Sequence, residues 1–234
     1  MKVSFMIEEA PLLTLRRNFD RPTPAQVAAL KGVQTGFIVD AMKGRGALDG
    51  RIKPVDENHA EICGVAVTCY AGPADILAPF AAIEIAQPGD IVVTATDAFE
   101  ATAVAGDNML WIAKNKGVQG FVTDGFVRDL IGIREVGVPC FCAGVTPNSP
   151  ACNGPGTVGQ TIAMGGVSIN SGDIILGDLD GAVVVPYAMI DDVIAKLKTV
   201  LSLEEELNGK VRNGLTIAPF MADIFAGGRI QEID

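Results

Sequence analysis

The feature that most constrains this chain is an alternation of two hydrophobic patterns. Four apolar, β-rich runs (residues 62–70, 90–95, 118–123 and 138–143) are separated by segments of helical pattern at 76–86, 109–116 and 130–136. Pro88-Gly89, Gly117 and Gly137 follow those helices, where helix-stopping residues belong. Strands that alternate with helices specify an α/β fold. Upstream, a helix starts at Thr23-Pro24 and ends at Gly32, with proline just inside its start, and a second short helix is expected at 37–42. Ser171-Gly172-Asp173-Ile174 echoes Pro88-Gly89-Asp90-Ile91. The echo reads as two similar turns entering two strands rather than as a duplicated unit. A long amphipathic helix is expected from Tyr187 to Val211, weakest at Gly209. The short tail after Pro219 is expected to pack on the body or on a neighbour. Residues 1–24, with Pro11, Pro22 and Pro24, read as an irregular arm with one short helix. Residues 25–234 contain no linker and read as a single domain.

With 234 residues, 49% apolar and 20% charged, the chain can bury a real core and is not a disordered segment. Its 28 acidic residues against 18 basic ones give a net charge of −10. Such a chain, without a local Lys/Arg cluster, repels a phosphate backbone, so no nucleic-acid partner is expected. No apolar run approaches the roughly 18 residues of a membrane span. Acidic residues at Glu8 and Glu9 interrupt the start before any apolar signal region forms. Together with an odd count of five cysteines, this points to the cytoplasm and to reduced thiols. Cys140 and Cys142 would share one strand face, a poor disulfide geometry, and the second ligand pair of a zinc knuckle is missing. His59, the single histidine, lies in a polar loop and cannot build a His-rich metal site or a persuasive Ser-His-Asp triad.

The chemistry concentrates in Gly106-Asp107-Asn108-Met109-Leu110 and Gly125-Phe126-Val127-Arg128-Asp129. Asp107 falls at one helix start, and Arg128-Asp129 follows a strand where the next helix begins. In an open α/β sheet both points can lie in the crevice beyond the strand ends. Amides at a helix start favour a carboxylate, and Arg128 adds two directed hydrogen bonds to it. Asp107 and Asp129 supply hard oxygen ligands suited to Mg²⁺ or Mn²⁺. Each residue also has a plain structural role open to it. Both aspartates stand where helix N-caps belong, Arg128 has Asp124 and Asp129 as ion-pair partners, and a capping Asp107 would occupy the amides a substrate needs. Lys114 and Lys116 lie toward a helix end in polar company, which argues against a Schiff-base lysine.

The stretch from Gly106 to Gly144, whose first part reads G-D-N-M-L-x6-G-V-x-G-F-V-x-D-G-x-V-R-D, resembles the RraA-like family. That family includes 4-hydroxy-4-methyl-2-oxoglutarate/4-carboxy-4-hydroxy-2-oxoadipate aldolases and the regulator of ribonuclease E activity A. The likeness continues through Gly165-Gly166-Val167, Ser171-Gly172-Asp173-Ile174 and Asp178-Leu179-Asp180-Gly181, and spans roughly residues 30–215. It implies a swivelling β/β/α domain with a long C-terminal helix, assembled as a homotrimer or homohexamer with sites between subunits. It also implies a class II pyruvate aldolase or oxaloacetate decarboxylase, working through a metal-stabilised pyruvate enolate on a short 2-oxo acid. By that resemblance Asp129 binds Mg²⁺ or Mn²⁺ directly. Asp107 and Glu204, the latter from a neighbouring subunit, hold the ion through water. Arg128 and the amides of Asn108, Met109 and Leu110 bind substrate. Glu205 and Glu206 adjoin Glu204, and all three also suit a solvated acidic helix face.

Two departures stand out. Gly132 replaces an acidic residue of several relatives, which removes a supporting hydrogen bond, and the loop from Asn148 to Gly156 is this chain's own and is placed to shape the far end of a pocket. The alternative function is a non-catalytic, protein-binding regulator.

Overall fold

The computed structural model describes residues 10–233. Its strands are β1 (Leu13–Leu15), β2 (Lys53–Pro54), β3 (Ile62–Tyr70), β4 (Ile91–Ala95), β5 (Ala103–Ala105), β6 (Gly120–Thr123), β7 (Phe126–Val127), β8 (Cys140–Cys142), β9 (Gly144–Val145), β10 (Gly156–Val158), β11 (Ile162–Met164), β12 (Val167–Ile169), β13 (Ile174–Asp178) and β14 (Gly181–Val185). Its α-helices are α1 (Pro24–Leu30), α2 (Thr35–Ala41), α3 (Leu77–Ile85), α4 (Asp107–Lys116), α5 (Leu130–Val136), α6 (Ile190–Arg212) and α7 (Pro219–Ala226). The long strand β3 is the spine. It pairs in parallel with β4, which pairs in parallel with β6, and β6 in turn with β8. Along its other edge it is antiparallel to β13 and, further on, to β10.

The period of two along the strands decides what lies on each face. Val67, Cys69, Val92, Phe121, Cys140 and Cys142 are buried with the crossover helices α3, α4 and α5. The residues between them, including Ala66, Ile91, Val93, Val122 and Phe141, are buried with residues of β11–β14. Helices α1, α2 and α6 cover the outer side of the β13–β14 hairpin through Leu30, Ile38, Val193 and Leu197. The result is a mixed α/β fold, with the long C-terminal helix beginning as a 3-10 turn at Tyr187–Met189 and running to Arg212. Among the described residues, no helix is long and apolar enough to cross a membrane.

The two echoed segments are indeed like turns. Asp90 accepts from the Gln87 amide (2.8 Å) and Asp173 from the Asn170 amide (2.7 Å), each closing a four-residue turn with a left-handed glycine, Gly89 or Gly172. They feed unlike strands, since β4 is parallel to β3 whereas β13 is antiparallel to it. Residues 10–23 contain no helix, contrary to the expectation of a short one. β1 instead adds to the edge of β10, and residues 1–9 lie outside the described residues. Arg21 then makes a bidentate pair with the buried Asp90 at 2.8 and 2.9 Å. The tail after Pro219 forms α7, none of whose residues is buried.

Arg21→Ala leaves the Asp90 carboxylate buried without its cation. A loss of about 2 kcal/mol is expected, seen as a fall in Tm of roughly 4–8 °C. Arg21→Lys, which keeps the charge and loses the fork, should fall between the two in thermal melts.

Candidate active site

Beyond the ends of β4, β6 and β8 the chain continues into a second, smaller parallel ribbon, β5-β7-β9. Strands of two or three residues carry no readable periodicity, and nothing in the sequence reading anticipated them. The turns that precede the ribbon are fixed by Asp124. One of its buried oxygens accepts from the Thr96 amide and hydroxyl (2.7 and 2.9 Å), and the other from the Ala98 amide (3.0 Å). Gly125 is needed beside it, because a Cβ there would lie 2.8 Å from Thr96 Oγ1. In the ribbon Ala105 is in register with Val127, and the Arg128 amide donates to the Ala105 carbonyl at 3.0 Å. The residues that follow β5, Gly106-Asp107, therefore abut those that follow β7, Arg128-Asp129.

Close packing makes two glycines necessary here. A Cβ on Gly106 would lie 2.5 Å from Asp129 Oδ2 and 3.3 Å from Arg128 Cγ. A Cβ on Gly132 would overlap the Asp107 carboxylate. The glycine at 132 thus has a steric reason: α5 lies against Asp107, and a Cβ there would displace its carboxylate.

Asp107 is not the N-cap of α4. Gly106 holds that place, and Asp107 is the first helical residue, its Oδ1 accepting from the Asn108 amide at 2.6 Å. Asp129 does stand at the N-cap of α5, but its side chain makes no capping bond. Its backbone is left-handed (φ 59°, ψ 43°), a conformation that costs a residue with a Cβ on the order of 1 kcal/mol. Its carboxylate turns instead to Arg128 Nε at 3.2 Å. Arg128 Nη1 donates to Ser149 Oγ at 2.6 Å. Both members of the Arg128–Asp129 pair remain partly open to solvent.

These side chains border a cleft of about 80 Å³. Arg128, Asp129, Asp107, Asn108 and Met109 line it together with Ile76, Phe80 and Pro150, and Ala103, Ala105 and Gly106 of the β5 end complete it. Leu110 does not line it: its amide donates to the Gly106 carbonyl (3.2 Å) and its side chain is fully buried. Glu204 does not line it either. It sits on α6, which packs against α1 and α2, with Asn208 as its hydrogen-bond partner, so within one chain it is not brought to Asp107 and Asp129. Glu205 is exposed, and Glu206 pairs with Lys210 at 2.6 Å.

The loop after β9 is the part of the site whose contacts the sequence could not specify. Ser149 and Pro150 come from it, and its two ends are pinned. Asn148 accepts from the Ala103 amide (3.0 Å) and donates to the Ala101 carbonyl (2.8 Å). Asp75, buried, accepts from the amides of Leu77, Asn153 and Gly154 at 2.8, 2.6 and 3.0 Å. The signal available beforehand was the density of Gly, Pro and Asn in the loop, which says that it turns but not where it docks.

Among the described residues no three histidine, cysteine or acidic side chains converge on one point. Two carboxylates border the cleft, however, and Mg²⁺, which keeps several of its waters, is commonly held by one or two. The donor set fits a hydrated hard divalent ion, and does not fit a closed zinc site. The buried thiols are unsuited to nucleophilic duty: burial pushes Cys69 up to about 12 and Cys140 well above its ordinary value. His59 is occupied by Asp56 at 2.7 Å.

Comparison with known proteins places the chain in context. The family model described as RraA-like, Aldolase/RraA, matches residues 35–184. A protein of Halalkalibacterium halodurans, provisionally named a 4-hydroxy-4-methyl-2-oxoglutarate aldolase, is 36% identical over 172 residues, covering 74% of this chain and 81% of that one. The 4-hydroxy-4-methyl-2-oxoglutarate aldolase of Thermus thermophilus is 35% identical over 85 residues, 36% of this chain and 52% of that one. The crystal structure of Streptomyces coelicolor RraAS2, described as an unusual member of the RNase ES inhibitor RraA protein family, superposes with a TM-score of 0.73 at 29% identity, covering 81% of this chain and 100% of that one.

Asp75→Ala removes the acceptor of three amides and should cost about 1–3 kcal/mol. Its specific signature is faster hydrogen exchange at Asn153 and Gly154, with the β3 and β4 amides unchanged. Uniform protection in the variant would show that the loop is held by other contacts.

Proposed function

The chain belongs to the RraA-like, Aldolase/RraA family, and on that premise we propose that it is a carbon–carbon lyase. In this reading it is dependent on Mg²⁺ or Mn²⁺ and cleaves a short 2-oxo acid by retro-aldol reaction or decarboxylation. The observation that supports this best is the meeting of Arg128, Asp107 and Asp129 on one small cleft through the β5–β7 pairing.

With Nε turned to Asp129 and Nη1 donating to Ser149 Oγ, Arg128 has its remaining Nη N–H groups to offer a substrate carboxylate. The Met109 amide, in the first turn of α4 and without an i−4 acceptor in the helix, adds to the positive end of that helix. Asp129 would hold the ion directly, and Asp107 through water. When bound, the ion supplies a Lewis acid beside the keto oxygen. Retro-aldol cleavage breaks C3–C4, leaves the electron pair on C3 and releases the proton of the 4-hydroxyl. Asp107, whose Oδ1 is fixed by Asn108, has Oδ2 left to hold a water that carries this proton. Ile76, Phe80 and Met109 put apolar surface along the cleft for the reacting carbons.

Self-association belongs to this reading, as a homotrimer or homohexamer. Leu203, Leu207, Val211, Phe220 and Phe225 leave the C-terminal helices with exposed apolar surface, which a second copy would cover. In such an assembly Glu204 of the partner subunit is the third acidic group at the site. A cytoplasmic setting suits the five free cysteines.

The test pairs two measurements with Mn²⁺ and with EDTA: exchange of the pyruvate methyl protons in D₂O, and pyruvate release from oxaloacetate and 4-hydroxy-4-methyl-2-oxo acids. Exchange and release that need the metal are expected. Arg128→Ala and Asp129→Ala should each lower turnover at least about a hundredfold while retaining the circular dichroism of the parent. A protein with neither exchange nor release would be better described as a protein-binding regulator.

A further inference from the structure

The cleft is asymmetric in charge, and the asymmetry bears on the half of the substrate that leaves. Among the described residues, Arg128 is the one cationic residue that lines it. Basic residues on the flanking elements are committed elsewhere: Lys114 donates to the Val136 carbonyl, Lys116 pairs with Glu84, and Arg51 pairs with Asp49 and Glu100. The charged groups left at the cleft are Asp107 and Asp129, both anionic. Ile76, Phe80 and Pro150 give the wall its apolar side, and Ala103, Ala105, Gly106, Asn108 and Met109 complete the lining. This wall is built into the fold: Ile76 donates its amide to Ala151, and Asp75 clamps the loop that carries Pro150.

One guanidinium satisfies one carboxylate. A second carboxylate on the substrate would have two places to go. Against Ile76, Phe80 and Pro150 it would lose hydration and gain no donor. Toward Asp107 and Asp129 it would compete with their carboxylates for the bound cation. A neutral group of the same size meets neither cost and gains apolar contact.

Resting on the lyase reading, we propose that this site selects 2-oxo acids with a neutral, apolar distal end, namely 4-hydroxy-2-oxo monocarboxylates, and that Phe80 and Pro150 set that preference. The selected class differs from the oxoglutarate, a dicarboxylate, for which the aldolase relatives are named. The reaction is balanced without any co-reactant. In 4-hydroxy-4-methyl-2-oxopentanoate the C3–C4 bond breaks, its electrons remain on C3, the hydroxyl proton departs as the C4 carbonyl forms, and C3 takes up one proton. The products are pyruvate and acetone.

The matched probes are 4-hydroxy-4-methyl-2-oxopentanoate and 4-hydroxy-4-methyl-2-oxoglutarate, which differ at C4 by a methyl group against a carboxylate. Pyruvate release is followed for each, with pyruvate methyl exchange in D₂O run in parallel. A kcat/KM at least about tenfold higher for the pentanoate supports the proposal. Equal or better cleavage of the oxoglutarate, with methyl exchange present, overturns it while leaving the lyase reading intact. Loss of both cleavage and exchange overturns the two together. Pro150→Arg adds a cation to the distal wall and should move the ratio toward the oxoglutarate. An unmoved ratio in that variant, folded by circular dichroism, overturns the assignment of the wall.

Discussion

The candidate site depends on one backbone hydrogen bond, from the Arg128 amide to the Ala105 carbonyl, and on the short ribbon to which it belongs. Twenty residues separate Asp107 from Arg128, and helix α4 and strand β6 lie between them. The pairing of β5 with β7 cancels that separation. A ribbon of two- and three-residue strands is marginal by itself, so its geometry is imposed from below. Asp124 joins the turn after β4 to the turn after β6, and the Gly125 carbonyl receives the Ala143 amide after β8. The large parallel sheet supplies stability, and the ribbon built on its strand ends supplies placement.

How far the sequence discloses this depends on the length scale of each signal. Helix α5 is read with its observed bounds, because Asp129 before it and Gly137 after it are both strong end signals. The main parallel strands and α3 are located to within two residues by their apolar runs. The sharing of one face by Cys140 and Cys142 follows from the strand period. The β5-β7-β9 ribbon is illegible, since no periodicity exists in two residues. So is β1, because an edge strand made by Leu13–Leu15 depends on a partner more than a hundred residues away. The start of α4 is legible only to within two residues, 109 expected against 107 observed: an aspartate near a helix start looks like a cap, whereas Gly106, packed beneath Asp129, takes that role.

Gly132 shows the same limit from the other side. As a letter in the sequence it is a missing carboxylate. In three dimensions it is the space that the Asp107 carboxylate occupies. The closeness of α5 to α4 is a property of the packed pair, and neither helix announces it alone.

The acidity of the chain has a related explanation. Asp75, Asp90, Asp124 and Asp173 are buried, and in each both carboxylate oxygens are occupied by amides or, for Asp90, also by Arg21. These aspartates tie turns to strand ends, and their negative charge is used up locally by the fold. Asp107 and Asp129 are different. Among the described residues, each has one oxygen engaged, by the Asn108 amide and by Arg128 Nε respectively, and one without a partner. Asp129 also holds a left-handed backbone that would be cheaper as glycine, while its side chain does no capping. A carboxylate that neither caps its helix nor ties a turn, and that sits beside a second carboxylate and a half-engaged arginine, is free to engage a group outside the chain. One guanidinium against two carboxylates leaves the cleft with an excess of one negative charge. A bound cation would neutralise that excess, after which a substrate carboxylate could approach Arg128 without facing net repulsion.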